Sequence, residues 1–524
     1  MKSVKNQLDP ILTEIGEFGK YQILTTILLM VVAVVNYFSI VIYVFEALLI
    51  NHRCFIDNCD NDTTNYNPTW LIDAVPFEDN HPVKCLQFQK QNSSCNSWNF
   101  NRSIIEHCNR FVYETTEKSI LQDFNLQCDE NVATLTFVGT LNGIGKFIGL
   151  PLAGYLSDKL GRKKLLIVAS IISGMVGIAR SFSKSYILFL VLETLDAFVS
   201  AGVYASIYVL GSELVGPKKR ALITTMQFIA YSLGGVILGS VAWLVQSWRL
   251  LLQILYPINL ITILYIWLIP ESIRWLLVNN KFEQAKTILN NIAKTNKKQL
   301  SEENILNLAI DDTEELDKVK ISLKHVFKSK VLVIRVLVCS FCWISCIFVY
   351  YGLTISATSL SDNHYLDFVL TSAVEIPSYI IAHLLVTKIR RKIMLSGSFI
   401  LSSISSTAFI VLPLDLYWVQ LSLYLISKVG ISIVAYVIYM ATNEMFPTSV
   451  RQTLVSICSM FGRVGNILVP QLILLQQIWF NLPLLLFAVL SAISGVLVLL
   501  LPETKDTILP NTIEEAENIG NVKT

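Results

Sequence analysis

The chain has 524 residues, 53% of them hydrophobic and only 15% charged, with a formal net charge of +2 at pH 7. That balance excludes a string of soluble domains, and near-neutrality gives no reason to expect nucleic acid or an acidic surface as partner. The lipid bilayer is the expected surrounding.

Residues 1–20 carry several charges and no small-residue cleavage site, so the apolar stretch from about Tyr21 is expected to be a retained first span. Further windows of mostly apolar residues begin near Val132, Leu165, Tyr186, Ala221, Arg249, Val331, Leu366, Ile393, Leu416, Leu454 and Trp479. Each is long enough to cross a hydrocarbon core of about 30 Å. The prediction is an all-α polytopic membrane protein of twelve helices.

Residues 51–130, between the first and second spans, hold Cys54, Cys59, Cys85, Cys95, Cys108 and Cys128, and all three N-x-[ST] sequons, at Asn61, Asn92 and Asn101. This clustering predicts a large extracellular loop, stapled by disulfides and glycosylated, whose pairing the sequence leaves open. Cys339, Cys342, Cys346 and Cys458 fall within spans and are read as small buried packers, so no metal site is expected.

The basic runs "DKLGRKK" (Asp158 to Lys164), "PKKR" (Pro217 to Arg220) and "TKIRRK" (Thr387 to Lys392), with the charged segment 270–330, all fall on one side if the helices alternate. Loops rich in Lys and Arg face the cytosol, which places both termini there. The expected organisation is a cytosolic N-terminus (1–20), a first six-helix half (21–269), a cytosolic helical connector (270–330), a second half (331–502) and a cytosolic tail (503–524).

An internal duplication supports two halves. "SELVGPKKR" and "NEMFPTSVR" repeat an acid, a proline and an arginine as Glu213, Pro217, Arg220 and Glu444, Pro447, Arg451, and the two acids are 231 residues apart. "IPES" (Ile269 to Ser272) and "LPET" (Leu501 to Thr504) are offset by 232, and "DKLGRK" has a weaker echo in "TKIRRK" at 229. Like-oriented six-helix repeats suit a carrier with a binding site near the midplane.

"GYLSDKLGRKK" (Gly154 to Lys164) resembles the signature of the major facilitator superfamily between its second and third helices. "IPESIRWLLVNNKFEQA" (Ile269 to Ala285), the cysteine-bearing loop and "NEMFPTSVR" resemble more narrowly its organic cation, carnitine and organic anion transporters. The resemblance implies the major facilitator fold, transport by alternating access, and a cytosolic latch of Asp158 and Arg162 that favours the outward-open state. The pairs Glu213 with Arg220 and Glu444 with Arg451 are expected to act as further breakable bridges.

Ionisable residues inside spans are functional candidates. Arg463 lies twelve residues beyond Arg451 and Lys146 twelve before Asp158, both about 18 Å from the cytosolic face at 1.5 Å per residue. Glu375 is at similar depth and is read either as a cavity residue or as an internal counter-ion for Arg463 or Lys146. Glu193, Asp196 and Lys428 lie nearer the outer face, where Glu193 and Lys428 either snorkel or act inside.

Where cation-selective relatives tend to carry an aspartate, this chain has Arg463 in "GRVGN", similar to the anion and carnitine transporters. Where several have a glutamate, it has Tyr436. Trp343 and Tyr350 match aromatic positions that line the family's cavity, and Asn36, which matches an asparagine of the carnitine branch, is a further cavity candidate. The expectation is a non-enzymatic plasma-membrane carrier of small organic ions of the carnitine type, with Arg463 on a carboxylate and aromatic faces on an ammonium. An organic anion exchanger is the alternative, and a transport-inactive receptor a remote one. No cofactor is expected, and the sequence does not indicate a coupling ion.

Overall fold

The computed structural model describes residues 2–60, 65–78, 81–91, 95, 97–301, 326, 328–361, 363–413, 416–447, 450–505, 510 and 512–519. Asn61, Asn92 and residues 302–325 of the connector lie outside them.

Eleven described helices are long and apolar enough to cross a membrane: α1 (Lys20–Glu46), α2 (Asp129–Leu160), α3 (Arg162–Ser181), α4 (Tyr186–Glu213), α5 (Pro217–Val245), α6 (Trp248–Leu268), α7 (Lys330–Ser359), α8 (His364–Val386), α9 (Arg391–Val411), α10 (Tyr417–Met445) and α11 (Arg451–Ile478). A shorter apolar helix, α12 (Leu482–Val498), follows and matches the twelfth expected span. Large apolar side chains such as Ile187, Leu244, Trp267 and Leu337 point outward and stay exposed, as lipid-facing positions do.

Without a hydrophobic force between helices in lipid, close packing of small residues holds them together. Gly149 of α2 meets the backbone of α4 so closely that an added Cβ would lie 2.2 Å from the Phe198 carbonyl oxygen. Gly149→Ala is therefore expected to cost about 1–3 kcal/mol of overpacking, read as a lowered melting temperature in detergent. Gly154→Ala, with no atom within 4 Å of the new methyl, should melt like the parent protein.

The large loop is not helical throughout. Its described residues form three two-stranded antiparallel pairs, His52–Cys54 with Phe111–Tyr113, Phe77–Glu78 with His81–Pro82, and Leu86–Lys90 with Phe100–His107. The cysteines pair as Cys54–Cys108, Cys59–Cys95 and Cys85–Cys128. Asn101 lies on the last strand, half-buried.

His52, on the first of these strand pairs, is almost fully buried against Phe111 and Tyr113, with the Ile50 carbonyl 2.8 Å from its Nδ1. Burial holds its pKa below the ordinary imidazole value. A depressed histidine costs nothing above that value, about 6.5, and destabilises the fold as pH falls through it. Proteolysis of the loop in the intact protein should accelerate at acid pH, and His52→Gln should remove that dependence.

On the opposite side, the N-terminal helix Lys2–Glu14 packs Leu8, Ile11 and Leu12 against the connector helices Ile273–Val278 and Phe282–Thr295. Asp9 binds Arg220 and Arg274 at 2.6 and 2.7 Å. The four cysteines within spans are buried and free.

Candidate functional site

Arg463 is half-buried on α11, beside Gly462 and Gly465, which let α11 lie against the backbone of α7. Its guanidinium has no hydrogen-bond or ion-pair partner among the described residues. Lys146, Tyr351 and Tyr439 lie within its electrostatic reach. Lys146 is buried and donates to Asn142 Oδ1 at 2.5 Å and the Ile40 carbonyl at 3.1 Å.

Glu375 is an internal counter-ion, but for Lys428 rather than for Arg463 or Lys146, with the two charges 2.8 Å apart. Lys428 is fully buried and does not snorkel. It also donates to the Tyr350 carbonyl and Thr354 Oγ1, and sits 3.7 Å from the Tyr350 ring centre. The reason is coupled desolvation: an ammonium and a carboxylate sealed in a bundle cost least when each neutralises the other. Glu375 further accepts from Tyr350 Oη at 2.7 Å and, across the two halves, from Ser232 Oγ of α5 at 2.6 Å.

Glu193 and Asp196 are likewise buried rather than at the interface, gathered around Arg180 of α3 with Glu46 of α1. Arg180 was not among the sequence candidates. It stands at the end of an apolar run, where an arginine reads as an interface residue.

Tyrosines and one tryptophan surround these charges. Trp343 Nε1 donates to Thr442 Oγ1 at 3.1 Å and its ring meets Tyr439 edge-on. Tyr436 bonds Thr225 Oγ1 of α5 at 3.0 Å and rests on Phe228. Tyr351 bonds Tyr231 at 2.9 Å between the halves. Tyr231, Tyr351, Tyr379 and Tyr439 were missed by sequence reasoning; the only signal for them is the abundance of tyrosine, 20 in the chain. Asn36 is buried, donating to the Ser200 carbonyl at 3.5 Å, and its own oxygen has no hydrogen-bond partner among the described residues.

The expected bridges take other partners. Arg220 binds Asp9, while Glu213 accepts from Ser272 Oγ. Glu444 pairs with Arg391 at 3.5 Å and accepts from Thr504 Oγ1 at 2.6 Å, and Arg451 donates to the Phe446 carbonyl at 2.9 Å. The duplicated "PES" and "PET" motifs explain this. Glu271 accepts from the Lys163 amide at 3.1 Å at the start of α3, and Glu503 from the Arg391 amide at 2.9 Å at the start of α9. Each carboxylate satisfies an orphan helix amide and faces the positive helix end. The hydroxyl that follows each then reaches the acid at the end of α4 or α10. Gly161, at φ +107°, leaves room for Glu271, whose Oε2 would lie 2.2 Å from an added Cβ.

Asp158 pairs with Arg162 at 2.9 Å, yet its side chain is 76% exposed, and Gly154 beside it faces open space. Near the large loop, by contrast, the halves are in contact. Gly139 lies against Pro470, Gly143 against Ile467, and Gly239 against Phe368 and Val369. Gln471 Nε2 donates to Thr140 Oγ1 at 2.7 Å. On the loop side the halves therefore touch at several points, while beside α2 on the side of the termini Gly154 and Asp158 stay exposed.

Twelve apolar helices among the described residues, with buried charges and tyrosines bonded between the two halves, have the make-up of a two-bundle membrane carrier. The profile of the Major Facilitator Superfamily matches residues 108–470. Solute carrier family 22 member 1 of Oryctolagus cuniculus is 30% identical over 98% of this chain and 95% of its own length. The organic cation transporter protein of Drosophila melanogaster is 29% identical over 98% and 95%. The partially occluded inward-open xylose transporter XylE of E. coli shares the fold, with a TM-score of 0.61 at 15% identity over 93% of this chain and 100% of its own. The chain belongs to solute carrier family 22 of the Major Facilitator Superfamily.

Proposed function

We propose that this protein is a plasma-membrane carrier of small organic ions, with both termini in the cytosol, and that its preferred substrates pair an anionic end with an apolar or ammonium body, as carnitine does. The Drosophila melanogaster relative bears the name of an organic cation transporter, which supports transport of organic ions as the activity. The observation that carries the choice of substrate is Arg463, a guanidinium within a span that has no hydrogen-bond or ion-pair partner among the described residues and lies near tyrosines and Trp343. A substrate carboxylate supplies the two acceptors such a group can hold side by side, and ring faces suit an ammonium.

The charge of Glu375 is spent on Lys428, so that carboxylate is not open to a substrate cation. Lys146 near Arg463 favours a second reading, an organic anion exchanger. Uptake of radiolabelled carnitine, tetraethylammonium and a dicarboxylate by expressing cells, with and without Arg463→Ala, tests the proposal. Loss of carnitine uptake at normal surface level supports it, and intact carnitine uptake overturns it. Stimulation of uptake by an internal dicarboxylate selects the exchanger.

A further inference from the structure

A charged cluster centred on Arg180, outside the residues assigned to substrate above except for Lys146 at its edge, lies within the first half, toward the large loop. Arg180 is fully buried and is met by three carboxyl groups: Glu46 at 3.1 Å, Asp196 at 3.7 Å, and Glu193 in direct contact. Asp196 accepts from Ser173 Oγ and Tyr256 Oη, both at 2.5 Å. Glu193 accepts from Asn142 Nδ2 at 2.6 Å, and Asn142 in turn takes a hydrogen bond from Lys146. Glu46 differs: it is fully buried, and neither of its oxygens accepts a hydrogen bond from the described residues.

Three acids, one arginine and one lysine leave the fully ionised cluster with one uncompensated negative charge away from water. Buried charges are tolerated only when paired and hydrogen-bonded. One added proton makes the cluster neutral, and Glu46 is the place for it, because donors already hold Glu193 and Asp196 as carboxylates.

The position of Glu46 gives that proton a consequence. It is the last residue of α1, and Phe45 before it packs on Tyr365 and Phe368 of α8, at ring separations of 5.6 and 4.8 Å. The segment carrying Glu46 is thus part of the contact between the halves on the loop side.

We propose that Glu46 binds a proton and links this loop-side contact, and with it substrate movement, to the pH on that side. When the contact opens, a proton from water adds to a Glu46 carboxylate oxygen, and closure then buries a neutral cluster. The groups facing Glu46 are Arg180 from α3, Glu193 and Asp196 from α4, Tyr256 from α6 and, through Asn142, Lys146 from α2. The linkage to flux rests on the carrier reading, so the test includes a measurement that needs no substrate.

Full-length protein in lipid nanodiscs is titrated from mildly alkaline to mildly acidic buffer while infrared difference spectra follow the carboxylic C=O stretch. The expected result is a protonated-carboxyl band that grows with acid and is absent in Glu46→Gln; a band that persists unchanged in that variant overturns the proposal whether or not anything is transported. If Glu46→Gln does not fold, Glu46→Asp is expected to move the midpoint of the band, and an unmoved midpoint is equally fatal. In cells, carnitine uptake is expected to change several-fold with external pH and to be pH-independent in Glu46→Gln. Parental pH dependence in that variant rejects the linkage.

Discussion

Lys428→Ala is expected to leave little folded protein at the cell surface. The substitution removes the only cation paired with Glu375 among the described residues, within a pocket where Lys428 is 0% and Glu375 1% exposed. Breaking a buried pair by deleting one partner costs about 3–5 kcal/mol, because the survivor stays charged and dry. That is a large part of a typical stability of about 5–15 kcal/mol. The loss should appear as a lowered melting temperature in detergent and reduced surface labelling.

The double variant Lys428→Met, Glu375→Gln removes both charges and is expected to recover most of the folded yield, since neutral side chains of similar volume replace the pair without leaving an orphan. If Lys428→Ala melts like the parent, the pair does not hold α8 to α10.

Arg463→Ala should behave in the opposite way, with the fold intact and recognition gone. The guanidinium satisfies no other group of the described protein, so its removal strands nothing. A hydrogen bond to a charged group contributes about 1.5–3 kcal/mol, which corresponds to a roughly tenfold to hundredfold weaker apparent affinity for a carboxylate-bearing substrate. The concentration dependence of carnitine uptake reads this as a raised KM. Arg463→Lys should fall between, because an ammonium keeps the charge without the planar two-pronged donor. If KM for tetraethylammonium rises as much as KM for carnitine, Arg463 is not reading a carboxylate.

These two arginine and lysine positions illustrate what is legible in a chain. Arg463 could be found from the sequence because its depth follows from counting residues along a helix, and a cation at that depth stands out from apolar neighbours. Its lack of a partner among the described residues could not, since that depends on which helix faces α11. The same counting placed Lys428 near an interface. It is buried there, because α10 lies against α7 and brings Tyr350 and Thr354 to its ammonium.

The terminal-side bridges failed in sequence for a related reason. The duplicated motif repeats Glu213 and Arg220 as Glu444 and Arg451, and the resemblance implies a bridge within each pair. In space, the hydroxyl of Ser272 and the carboxylate of Asp9 reach Glu213 and Arg220 first.

The sequence by itself determined the membrane class, the spans, the duplication, the cysteine-rich loop and the family resemblance, because hydropathy, spacing and motifs are properties of one segment at a time. Only the tertiary structure decided which cysteines pair, that the loop contains strands, that Glu375 belongs to Lys428, and that Arg180 gathers three acids. Those are pairings between residues far apart in the chain, and their energies turn on distance and burial. Neither is defined until the helices are packed.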